Sequence, residues 1–73
     1  MIKIVSLGLN TGASLTDALN ALTALNLSPC YGANWNTEIQ GIISQGVDMS
    51  TLKAYVDDQN TVTMWQYSTV PSG

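Results

Sequence analysis

The chain has no histidine, no arginine and no phenylalanine, and its single cysteine, Cys30, has no partner for an intrachain disulfide. Each absence removes a class of chemistry. Without histidine, a lone thiol cannot build a zinc site, and a serine or cysteine nucleophile lacks its usual base. With Lys3 and Lys53 as the only cations, there is no surface to neutralise phosphates along a nucleic acid. The five carboxylates, Asp17, Glu38, Asp48, Asp57 and Asp58, are too few to mimic a DNA backbone and show no spacing that pairs two of them for acid–base work. The expectation is no catalytic residues, no metal and no cofactor, hence not an enzyme, and no nucleic-acid partner.

Long apolar runs are missing too. None approaches the roughly 20 residues that span a bilayer. Met1-Ile2-Lys3-Ile4-Val5 begins like a signal peptide, but Ser6, Gly8 and Asn10 break the run. No targeting segment and no membrane partner are expected, which leaves a cytoplasmic or virion-associated location. A free cysteine fits a reducing compartment. On that reading the glycosylation sequon Asn26-Leu27-Ser28 is a chance match.

What the chain does have is uncharged polarity. Asn, Gln, Ser and Thr make up 25 of its 73 residues, while the net charge is only −3. Such a surface is wet, gives little electrostatic steering, and suits packing against other protein. Residues 1–73 read as one small domain, with 70–73 as a frayed tail. A chain of this size buries only about 60% of its unfolded surface. With no disulfide or metal to help, association with another chain gains weight.

The most legible stretch is Ser14 to Asn26. Leu15, Ala18, Leu19, Leu22 and Leu25 recur at helical spacing. Ser14 is a good N-cap, with Asp17 placed to reach back to it. Asn26 and then Ser28-Pro29 provide the stop. Ahead of this helix, Ile2 to Leu9 reads as a strand with apolar residues on both faces, covered over most of its length. A second, shorter helix begins at Asn34 or Asn36, carries Trp35, Ile39, Ile42 and Ile43 on one side, and ends at Gly46 with Val47 packing back. Asp48 to Asp58 stays open. Met49, Leu52, Tyr55 and Val56 fit a helix face, whereas Leu52, Ala54 and Val56 alternate as in a strand that turns through Asp57-Asp58-Gln59-Asn60. Thr61 to Thr69 is β-branched, aromatic and alternating, and reads as a strand. The expected fold is α+β, in the order β-α-α-(α or β)-β. A two- or three-stranded sheet carries the Ser14 helix, and the last strand pairs with the first.

Gly8-Leu9-Asn10-Thr11-Gly12-Ala13-Ser14 sits where a phosphate-binding loop would, since amides at a helix N-terminus attract anions. Leu7 to Tyr31 locally resembles the opening of the P-loop sulfotransferases, through Gly8, Leu9, Thr11, Gly12, Ser14, Leu15, Ala18, Leu19, Pro29, Cys30 and Tyr31. That resemblance implies phosphate binding by Gly8, Gly12 and Ser14. The loop is one residue short, Ala13 stands where the pattern has lysine, and no arginine exists for a sulfate donor, so the chain is not assigned to that family. The plainer account is that the glycines let the chain turn into a capped helix. Asp57, Asp58 and Asn60 lack the glycine and distal glutamate of a calcium loop and read as a solvated turn. Cys30 reads as a small apolar filler, with reactivity or intermolecular pairing as the alternatives.

The aromatic residues Tyr31, Trp35, Tyr55, Trp65 and Tyr67 are all of the amphipathic types enriched at interfaces. Trp65 and Tyr67 share one face of the last strand. If Val62 and Met64 face the helices, the two aromatics point outward and form an exposed patch; otherwise they belong to the core face. An uncharged strand at a sheet edge also invites strand addition. Trp35, Trp65 and Tyr67 are therefore the candidate partner-binding residues. The expected function is a non-catalytic interaction or assembly protein, such as a decoration or adaptor subunit of a virus particle, bound to a protein partner or to itself. The alternative is an inhibitor of one host protein, and a degenerate phosphate-binding module comes third.

Overall fold

A computed structural model describes residues 1–70. The order is β1 (Lys3–Ser6), α1 (Leu15–Ala24), α2 (Trp35–Ile43), β2 (Val47–Val56) and β3 (Val62–Thr69), an α+β fold whose open segment proves to be a strand. The sheet is antiparallel with β2 in the centre. This corrects the expected pairing, since β3 pairs with β2 and not with β1. A ten-residue β2 contiguous with the β3 hairpin offers a longer local ladder than a β1–β3 closure would.

α1 forms where the stripe and caps place it. Ser14 Oγ accepts from the Asp17 amide at 3.2 Å, and Asp17 Oδ2 accepts from the Ser14 amide at 3.1 Å, a closed capping box. At the other end Asn26 takes a left-handed φ of 57°. The Leu27 amide donates to Leu22 O and the Asn26 amide to Thr23 O, the paired bonds of a Schellman stop, and Leu27 is buried. In α2, Asn34 Oδ1 caps the Asn36 amide at 2.8 Å. Gly46, at φ 76°, turns the chain out of the helix so that Val47 packs into the core.

The strands depart from simple alternation at two places. Along β2 the inward side chains are Val47 and Met49, then Leu52, Ala54 and Val56. Two residues, Ser50 and Thr51, separate Met49 from Leu52. The register accounts for this: Asp48 faces Ser68 and Lys53 faces Gln66, so the intervening β2 residues 49–52 lie opposite Tyr67 alone. Thr51 Oγ1 holds the bulge, donating to Asp48 O at 2.7 Å and accepting from the Ser68 amide at 2.9 Å. The second irregularity is in β3, where Val56 faces Val62 but Tyr55 faces Met64. Val62 is therefore buried, Met64 is 61% exposed, and Trp65 and Tyr67 return to the helix side.

β1 is shorter than Ile2 to Leu9 and covered on one face only. Gly8 turns at φ 66°, Leu7 is buried, and Ile2 and Ile4 are 49% and 57% exposed. The core gathers Leu22 and Ala18 of α1, Ile39 and Ile42 of α2, and Leu52, Ala54, Val56 and Val62 of the sheet. No aromatic is among the fully buried residues; Trp35, Trp65 and Tyr67 pack half-buried against the core's rim. Val70 donates to Gly46 O at 2.7 Å. The rest of the expected frayed tail, 71–73, lies outside the described residues.

Candidate interaction surface

β3 is an edge strand, and the sequence gives it no charge and no proline over residues 62–69. Its first residues are covered on the free side by Ser28, which accepts from the Val62 amide and donates to Asn60 O, both at 2.9 Å. Beyond that bridge the edge runs open. The Ser68 amide turns inward to Thr51 and the Val70 amide inward to Gly46. Because backbone amides alternate along a strand, those of Trp65, Tyr67 and Thr69 point away from β2. The result is a row of outward donors and acceptors, the geometry that accepts an added strand.

α2 packs nearest to β2, and side chains from it and from the turn after it reach β3. Trp65 Nε1 donates to Glu38 Oε1 at 2.9 Å, and Tyr67 Oη donates to Gln45 Oε1 at 3.0 Å. Trp35 and Trp65 meet edge to face, with centroids 5.9 Å apart and planes at 63°. Glu38 Oε2 is buried and has no hydrogen-bond partner among the described residues. All three candidate partner-binding residues, Trp35, Trp65 and Tyr67, thus gather on the α2–β3 side, half-buried rather than forming an outward patch. The sheet's opposite face carries a cross-strand row of Ile4, Tyr55 and Met64 beside a polar row of Ser6, Lys53 and Gln66.

A scan of family models and searches of curated proteins and of solved structures return no match.

The loop from Gly8 to Ser14 is placed differently from an anion cradle. The Ser14 amide and hydroxyl are engaged by Asp17. The Asp17 carboxylate also lines the shallow depression there, together with Gly8, Leu9, Asn10, Ala13 and Asn20. A fixed negative charge where a phosphate would sit opposes anion binding. Gly12 has ordinary backbone angles and open space around it. The loop instead braces the bulge: Thr11 O accepts from the Met49 amide at 3.2 Å. Next to it, the Ser50 hydroxyl at 2.7 Å holds the Asp48 carboxyl below its ordinary pKa. The Ser50 amide at 3.1 Å and the Thr11 side chain add to this, against the opposing effect of partial burial.

The sequence reading missed two features. Glu38 showed no partner because Trp65 lies 27 residues away, although its i+3 spacing from Trp35 already put the two on one helix face. The row of Ile4, Tyr55 and Met64 was hidden by the bulge that moves Met64 to the outer face.

Proposed function

We propose that this chain is a non-catalytic interaction protein that receives an extended segment of another chain along the open edge of β3. The observation that carries this reading is the uncharged edge with outward amides at Trp65, Tyr67 and Thr69. The Trp35, Trp65 and Tyr67 cluster beside it supplies aromatic area at the rim, the composition of an interface anchor. A weakly charged surface and a small core point the same way. A subunit that decorates or adapts a larger assembly, such as a virus particle, fits this chemistry. An inhibitor of a single host protein would use the same edge but bind one copy of one partner.

No helix among the described residues is long and apolar enough to cross a membrane. The test is light scattering and pull-down with wild type and with a synthesised chain N-methylated at Tyr67. The methyl group blocks one outward amide and leaves the β2–β3 ladder intact. The expected result is loss of association with an unchanged melt. Association that survives the methyl group removes the edge from the account.

A further inference from the structure

The free part of the β3 edge has two limits. At one end the Ser28 bridge occupies Val62. At the other, Thr69 carries the last outward amide, because two residues further in the sequence stands Pro71, which has no amide to give. Between these limits Trp65, Tyr67 and Thr69 are evenly spaced about Tyr67. The sheet's other edge is guarded, since β1 is four residues long and carries Lys3.

An evenly spaced row of this kind is complementary to its own reverse. In an antiparallel ladder, residues whose amide and carbonyl point at the neighbour form pairs that exchange two hydrogen bonds each. A two-fold axis through Tyr67, perpendicular to the sheet, sets Tyr67 against Tyr67 of a second copy. The same axis sets Trp65 of each copy against Thr69 of the other, so every outward residue of the row is paired.

Charge and space agree with this register. A strand paired with its own reverse brings its charges close to their like, and such pairs are destabilising. β3 has no charged residue to suffer this. On the outer face the exposed Gln66 and Ser68 meet each other across the axis, a polar pair able to hydrogen-bond. On the helix face the half-buried Trp65 and Tyr67 gain a neighbouring strand of the same composition. α2 packs nearest to β2, not to the edge strand. Two β2 strands separated by two β3 strands stand about 14 Å apart. Packed helices need only about 8–10 Å, so the two copies of α2 do not collide.

We propose that the strand received by β3 is β3 of a second copy, in an antiparallel two-fold dimer that joins the two three-stranded sheets into one, centred on Tyr67. This rests on the edge-addition reading above and names its partner.

The test is light scattering of the wild-type chain from about 10 μM to about 1 mM, with isotope-filtered NMR on a mixture of labelled and unlabelled protein. The expected result is a mass that rises from monomer to dimer, with intermolecular contacts between the Hα atoms of Gln66 and Ser68. Those atoms face each other in a close, non-hydrogen-bonded pair only in this register. A charge exchange at the axis supplies a second readout. Tyr67→Lys and Tyr67→Glu, each alone, are expected to dimerise about tenfold more weakly, and their equimolar mixture to recover the dimer. A partner other than the chain itself gives no such recovery. A monomer at the highest concentration, or a dimer without the Gln66–Ser68 contact, overturns the proposal. If the Trp65, Tyr67 and Thr69 amides exchange fast in that monomer, the edge stays open to a foreign segment and the broader reading survives. If they are already protected, both readings fall.

Discussion

Replacing Trp65 by Phe removes the only hydrogen-bond donor to the Glu38 carboxylate among the described residues and trims the ring that meets Trp35. A hydrogen bond to a charged group is worth about 1.5–3 kcal/mol when well buried. Glu38 is half-buried, so solvent screening reduces the expected term to about 1 kcal/mol. Loss of part of the aromatic contact adds about 0.5–1 kcal/mol. The total, about 1.5–2 kcal/mol, corresponds to a drop in melting temperature of about 6–16 °C for a domain of this size. The informative assay is a double-mutant cycle in urea with Trp65→Phe and Glu38→Ala, with Trp35 fluorescence as the probe. A coupling of about 1 kcal/mol is expected between the two sites. Additivity to within about 0.3 kcal/mol, the behaviour of independent sites, refutes the claim that they act together.

Leu22 is fully buried in the core, so Leu22→Ala is expected to cost about 2–5 kcal/mol by urea titration, enough to unfold a marginal domain. Ser14→Ala opens the capping box and is expected to cost about 1 kcal/mol in the same assay; a neutral result would remove the box from the stability account. Asp48 has a folded pKa below its reference value of 3.8. Its contribution is therefore fully present above that value and is lost as pH falls through the folded pKa. The stability difference between wild type and Asp48→Asn, measured by urea melts from pH 7 to pH 2, should shrink in that acid window. A difference that is flat with pH contradicts the Ser50 assignment.

The helices were legible because their signals are local. Ser14, Asp17 and the leucine stripe define α1 within a dozen residues, and Asn34 and Gly46 bracket α2. β2 resisted reading because its inward positions change phase between Met49 and Leu52. Spaced by three, those two side chains imitate a helix face, and only the Thr51 bonds to Asp48 and Ser68 show that a bulge absorbs the extra residue. β3 misled in a similar way. Unbroken alternation groups Val62 with Met64, whereas the bulge regroups Val62 with Trp65 and Tyr67. β1 looked covered on both faces because its apolar content is high, yet both helices pack on one side and leave Ile4 exposed. The candidate aromatics were legible as a set. The meeting of Trp35 and Trp65 beside Glu38 was not, because it depends on how α2 packs on the sheet, which no local signal encodes.

Amide hydrogen exchange of β3 by NMR tests the open-edge account most directly. In dilute protein the amides of Trp65, Tyr67 and Thr69 are expected to exchange fast while those of Gln66 and Ser68 are protected, and association along this edge should slow the fast set. Odd-numbered amides already protected in the dilute monomer, or still fast once the chain is associated, would contradict the claim that this edge receives another chain.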